Sequence, residues 1–109
     1  MDDDSQQRAW EAERRKMFRL NFTASAEVID HASKKQFSLR MVDIGPGGCF
    51  LDTLLPLPIG SRVRVTLRRA DMDFQAEGQV VYTQPRLGMG IAFVELKSEQ
   101  RLTLLRLVE

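Results

Sequence analysis

Apolar and polar residues alternate along most of the chain after Leu20, a pattern typical of β-strands whose two faces meet different surroundings. The clearest example is residues 62–68, where three apolar side chains alternate with arginines and a threonine. A period of two places the apolar set in a core and the arginines in solvent. A second alternating face is predicted for Phe74, Ala76, Gly78, Val80 and Tyr82. In all, six strands are predicted, over residues 20–30, 36–44, 48–53, 62–68, 73–84 and 88–95.

The two ends of the chain have a different pattern. Residues 5–16 are rich in good helix formers but contain few apolar side chains, so residues 1–13 are predicted to form a flexible or partly helical arm ahead of one domain, 14–109. At the other end, Ser98 is a plausible helix cap. The predicted helix buries the face of Leu102, Leu105 and Val108, widened by Leu104 and Leu107.

Composition narrows the class of protein. The chain has 109 residues, 43% hydrophobic and 28% charged, which suits one globular domain with its own core. A net charge of +1 gives no support for general binding to nucleic acid or membranes. A single cysteine, the absence of a signal peptide and the lack of a long apolar run predict a cytoplasmic protein with no membrane insertion.

No catalytic or metal site is visible in the sequence. His31 is the one histidine, and it falls in a polar stretch that predicts a hairpin loop at the surface. Cys49 lies in an apolar strand and is predicted to be part of the core. No nucleophile motif or cysteine–histidine cluster accompanies them, so neither an enzyme nor a cofactor is expected.

An arginine-rich segment, Arg14 to Arg19, is a candidate anion-binding element. Guanidinium groups bind phosphates through two hydrogen bonds and also stack on purine faces. Arg15 and Arg19 are four residues apart, so a turn or a helix brings both to one ligand. Taken alone, the segment is equally compatible with a solvated basic patch.

A glycine-rich turn, Asp43 to Gly48, is the second candidate. Three glycines and a proline allow the backbone to bend sharply and to approach a ligand closely. The Asp43 carboxylate is suited to accept hydrogen bonds from the edge of a guanine. The same residue types also make ordinary turns, so this alternative stays open for the turn considered alone.

Together, these residues resemble the signature of the PilZ domain, a bacterial receptor family for cyclic di-GMP. Its RxxxR motif is matched by residues 15–19, and its (D/N)xSxxG motif is matched by residues 43–48 at Asp43 and Gly48. Gly45 replaces the usual serine. Residues 88–93 and the helix after Ser98 also resemble the closing elements of that family.

The resemblance implies a mostly β fold, a six-stranded antiparallel β-barrel with a C-terminal α-helix and a flexible N-terminal arm. It implies that Arg15 and Arg19 bind guanine and phosphate, that Asp43 faces a guanine edge and that Gly48 permits close approach. Arg14 is assigned a further phosphate contact or an influence on how many ligands fit. One cyclic di-GMP or an intercalated pair is the expected ligand.

Three functions follow as hypotheses. The first is a cyclic di-GMP receptor whose surface changes on binding and so regulates an unidentified protein partner. The second is a ligand-independent adaptor, which Gly45 favours. The third is a single-stranded nucleic-acid binder, which the aromatic residues disfavour because Phe22, Phe37, Phe50, Phe74 and Phe93 fall in strands and are predicted to pack in the core.

Overall fold

The computed structural model of the chain describes residues 23–69 and 72–108. These residues form six strands followed by one helix, and the predicted number and order of strands are confirmed. The elements are β1 (Ala24–Asp30), β2 (Gln36–Ile44), β3 (Gly48–Asp52), β4 (Arg62–Arg69), β5 (Met72–Gln84), β6 (Gly88–Val94) and α1 (Ser98–Val108). The part of the first predicted strand before residue 23, and the arm 1–13, lie outside the described residues.

The strands close into an antiparallel barrel in the order β1-β2-β3-β6-β5-β4. β4 returns to pair with β1, with Val28 opposite Val65, so none of the six strands is left at an open edge. Closure removes the unpaired N–H and C=O groups that would otherwise attract another strand. The mostly β barrel with a C-terminal helix is therefore confirmed.

The barrel interior is filled by the apolar side chains that the alternation predicts. Val63, Val65 and Leu67 are fully buried, and burial of each contributes roughly 1.5–3 kcal/mol. The arginines between them point outward, where Arg64 pairs with Glu77 and Arg68 with Asp73. Cys49 is also fully buried, so its predicted place in the core is confirmed.

Helix α1 covers the barrel beside β5 through one leucine. Leu104 is 1% exposed and belongs to the main core, as predicted, whereas Leu102 and Leu105 are exposed, so the prediction that these two leucines are buried was wrong. The helix is instead oriented by Gln100, whose side-chain amide donates to the carbonyl oxygen of Gln75 on β5. Gln100 and Leu104 lie one turn apart on the same face.

The helix cap also differs from the prediction. The carbonyl of Lys97 accepts the first helical hydrogen bond, from the Arg101 N–H, so Lys97 and not Ser98 is the N-cap residue. Gln100, three residues on, accepts a hydrogen bond from the Lys97 N–H at 2.9 Å through Oε1. This is one half of a capping box, and the same side chain thus both caps the helix and ties it to β5.

Candidate functional site

A β-bulge in β2 sets the direction of Asp43. Met41 pairs with Leu51 and Asp43 pairs with Phe50, which leaves Val42 as the extra residue between them. Without the bulge, in a ladder where Val42 had its own partner, strict alternation from the buried Met41 would turn Asp43 into the core. With it, Ile44 is buried instead, and Asp43 joins the outer face of the barrel, half-buried beside Phe50.

The glycine-rich turn that follows is a two-residue hairpin loop. The N–H of Gly45 donates to the carbonyl of Gly48 at 2.8 Å, and the Gly48 N–H donates back to the Gly45 carbonyl at 3.3 Å. Pro46 and Gly47 form the tip, and the Gly47 carbonyl accepts a hydrogen bond from the Phe93 N–H at 2.9 Å. The turn is therefore fixed to both β3 and β6.

The electrostatics around the turn keep Cys49 unreactive. Burial raises the pKa of the Cys49 thiol well above its usual range, and the neighbouring Asp43 carboxylate raises that pKa further. A thiol in this environment stays protonated at neutral pH and is a poor nucleophile. Cys49 is therefore a residue of the core and not a candidate nucleophile.

A pair of aromatic rings lies on the same outer face. Phe50 and Tyr82 are buried with their ring centroids 6.1 Å apart and form a cluster separate from the main core, bordered by Val42, Val81 and Ala92. Tyr82 was predicted to share one alternating face with Phe74, Ala76, Gly78 and Val80. A second bulge, at Val81, turns it outward opposite Gly90.

Two glycines on β6 make room for these rings. A Cβ on Gly88 would clash with the Phe50 ring and the Leu51 carbonyl, and one on Gly90 would clash with the Tyr82 ring. Sequence reasoning missed this cluster. The available signal was the pair of glycines at alternate positions of one strand, since glycine within a strand often marks the close approach of a bulky neighbour.

The structure brings together three of the residues that the sequence selected. Asp43, Gly45 and Gly48 lie at one end of the barrel, on β2, in the turn and at the start of β3. Arg14, Arg15 and Arg19 lie outside the described residues. Within residues 23–69 and 72–108, no group of three potential metal-ligating side chains is found and no helix is long and apolar enough to span a membrane.

The fold and the turn place this chain in the class of small closed β-barrels, with a half-buried carboxylate and a tight glycine turn at one end. A family model, the PilZ domain, matches residues 13–109, and the chain belongs to the PilZ domain family. The resemblance drawn from the two motifs is therefore confirmed.

Solved structures show the same fold. The PilZ domain of CeSA from a cellulose-synthesizing bacterium has a TM-score of 0.67 at 17% identity, over 84% of this chain and 94% of that one. The PilZ domain of YcgR from Escherichia coli, solved with c-di-GMP, has a TM-score of 0.65 at 14% identity, over 84% and 83%. None of the curated proteins matches the chain.

Proposed function

We propose that this chain is a receptor domain for cyclic di-GMP, a binding module and not an enzyme, acting in the bacterial cytoplasm. The observation that carries the proposal is the β2 bulge, which turns the Asp43 carboxylate out of the core beside the Gly45–Gly48 turn. Membership of the PilZ family and the likeness of the fold to a domain solved with c-di-GMP support the same ligand.

The proposed contacts follow from the chemistry of each group. Asp43 accepts hydrogen bonds from the adjacent N–H donors of a guanine edge. Arg15 and Arg19 bind phosphate oxygens and the other guanine edge, with Arg14 as a further phosphate contact. Gly48 keeps the start of β3 free of a side chain, so a ligand can approach its backbone.

The absence of a hydroxyl at Gly45 weakens this site without removing it. A lost neutral hydrogen bond costs about 0.5–1.5 kcal/mol and one to a charged group about 1.5–3 kcal/mol. A micromolar complex is worth about 8 kcal/mol. The remaining contacts are therefore sufficient for binding, and a water molecule can bridge part of the gap.

Titration calorimetry tests the proposal directly. Cyclic di-GMP should bind the full chain with a stoichiometry of one or two, and Arg15→Ala, Arg19→Ala and Asp43→Asn should each weaken binding at least about tenfold, as expected for charged hydrogen bonds. Arg62→Ala, an exposed arginine on β4, is the matched control and should bind normally. Folded wild-type protein that gives no heat up to roughly 100 μM ligand contradicts the proposal.

The regulatory part of the proposal is that ligand binding orders the arginine segment against the barrel and changes the surface shown to a protein partner. A ligand-independent adaptor is the second candidate, and Gly45 is the observation that favours it. An adaptor would keep its partner affinity after Arg15→Ala and Arg19→Ala. In that case the nucleotide would shift no amide resonance in residues 14–19 or 43–48.

A further inference from the structure

A groove of about 500 Å³ opens at the end of the barrel opposite the Asp43–Gly48 turn. It lies beside the last residue of β3, four residues and roughly 13 Å along the strand from Gly48. Its walls come from the end of β3, the loop after it and the turn between β5 and β6. The lining residues are Arg40, Asp52, Thr53, Leu54, Arg86 and Leu87.

The two loops that line the groove are held together. The N–H of Thr53 donates to the carbonyl of Leu87 at 3.1 Å, and the Leu55 N–H donates to the Thr53 hydroxyl at 3.2 Å. Pro56 and Pro85 restrict the backbone of each loop. A surface fixed in this way loses little conformational entropy when it binds a partner.

Three leucines around the groove are left in solvent. The exposed fractions of Leu54, Leu55 and Leu87 are 74%, 86% and 64%. Single exposed leucines are common, but a group of them on rigid loops beside a groove is typical of an interaction site.

The charge of the groove is positive. Arg40 and Asp52 form an ion pair at 2.8 Å and offset each other. Arg86 is exposed and, among the described residues, makes no ion pair or hydrogen bond through its side chain. The groove therefore offers one uncompensated guanidinium next to an apolar surface.

The backbone of Arg86 has a conformation that is unfavourable for an arginine. The Leu87 N–H donates to the Gln84 carbonyl at 2.9 Å, closing a turn with Pro85 in its second position and Arg86 in its third. Arg86 has a φ of 64°, which in such a turn is normally supplied by glycine or asparagine. An arginine that keeps this backbone conformation, and whose side chain has no partner in the described fold, is consistent with a role in binding.

We propose that this groove docks a protein segment that presents an apolar side chain next to a carboxylate. Among the described residues that line the groove, Arg86 is the one cation without a partner, and a single cation is too few for a nucleic-acid backbone or an anionic membrane, both of which are recognised by several cations together. A leucine-lined groove with a single guanidinium fits an acidic-apolar peptide instead. This inference rests on the part of the proposed function that concerns a protein partner. Nucleotide binding is measured in a separate experiment.

The experiment starts from random short peptides displayed on phage and selected on the immobilised, nucleotide-free full chain. Enriched peptides should pair a leucine, isoleucine or phenylalanine with a neighbouring aspartate or glutamate. In the labelled protein they should shift amide resonances of residues 52–55 and 84–88 and leave those of 43–48 in place. Enrichment of basic or purely apolar peptides, no enrichment at all, or shifts confined to other residues would overturn the proposal.

Variants then separate recognition from folding. Arg86→Gln, which keeps the strained backbone, should weaken peptide binding about tenfold to a hundredfold, while the matched Arg62→Gln on β4 leaves it unchanged. Arg86→Gly should weaken binding as much, yet its melting temperature should be no lower than that of wild type. Equal peptide affinity in Arg86→Gln and wild type would refute the assigned role.

The nucleotide serves as the independent readout. Arg86→Gln should bind cyclic di-GMP as wild type does, and loss of that binding would make the groove part of the nucleotide site and overturn the inference. If wild type binds the selected peptides but not the nucleotide, the docking groove stands and the nucleotide proposal fails. Displacement of the peptides by a single-stranded oligonucleotide or by anionic vesicles would instead contradict a protein partner.

Discussion

At the scale of single residues, Gly45 determines which groups the turn offers to a ligand. Its backbone N–H is already engaged with the carbonyl of Gly48, and its side chain is a hydrogen atom. A hydroxyl at position 45 would add one donor without changing the charge.

We expect Gly45→Ser to strengthen the binding of cyclic di-GMP. The added hydrogen bond is worth about 0.5–3 kcal/mol depending on whether it meets a neutral or a charged group, which is roughly a twofold to hundredfold lower dissociation constant. Calorimetric titration measures it. Gly45→Ala is the control, since it adds a Cβ without a hydroxyl and should give no gain. Weaker binding by folded Gly45→Ser would show that the turn has no room for the side chain.

At the scale of elements, Leu104 and Leu105 are neighbours on α1 but have different surroundings. Leu104 lies in the main core, and the side chain of Leu105 is 52% exposed. Leu104→Ala should lower the free energy of unfolding by about 2–5 kcal/mol, as for other buried leucines. Leu105→Ala, the same change one position on, should alter it by less than about 0.5 kcal/mol. Urea unfolding of both variants checks this, and similar losses in the two would contradict the assigned helix face.

How far these elements were predictable depends on what fixes each of them. The strand β4 was predictable because Val63, Val65 and Leu67 keep one period over its length. The bulges at Val42 and Val81 were not, because a bulge is defined by the partner strand and leaves no gap in the apolar pattern. The outward turn of Tyr82 was missed for that reason.

The helix face and the site show the same limit. Leucines lie on nearly all sides of α1, so their spacing could not show that Leu104 is the one in the core. The hydrogen bond of Gln100 to β5 determines which side of the helix faces the barrel. Asp43 and Gly48 were selected as candidates through the order and spacing of two motifs, and their role in binding stays a prediction. That Asp43 lies beside Phe50 depends on a register that only the paired strands reveal.

At the scale of the whole molecule, Glu77 connects three parts of the barrel. Its carboxylate accepts a hydrogen bond from Arg64 on β4 at 2.8 Å and contacts His31, in the β1–β2 loop, at 2.6 Å. His31 thus lies in the loop where it was predicted, with a partner that the sequence did not indicate. Burial alone would raise the pKa of Glu77, but the hydrogen bonds from Arg64 and His31 outweigh it and lower that pKa from its usual 4.5.

A lowered carboxylate pKa predicts loss of stability in acid. The contribution of Glu77 to the free energy of unfolding is fully present above pH 4.5, the pKa of this residue in the unfolded chain. It is lost as the pH falls through the lower pKa of the folded state. Glu77→Gln should therefore be less stable than wild type at about pH 7, and the difference should be smaller at about pH 3. Urea midpoints at both pH values measure it, with the exposed Glu95→Gln as control. A difference in stability between Glu77→Gln and wild type that does not change with pH would contradict the role given to the contacts of Glu77 with Arg64 and His31.

The two bulges also determine which kinds of sequence change the barrel tolerates. Each one inverts the phase of its strand, so residues before and after it follow opposite rules for facing the core. If Val42 were paired regularly, with no bulge, Asp43 and Ile44 would exchange between surface and interior, placing a carboxylate among apolar side chains and an isoleucine in the candidate site. Substitutions on the outer face leave that phase intact. Point mutations on the outer face can therefore change ligand preference, whereas a deletion elsewhere in β2 shifts the phase of its neighbours and damages the core or the candidate site. Deletion of Val42 itself would leave Asp43 facing outward and Ile44 facing the core.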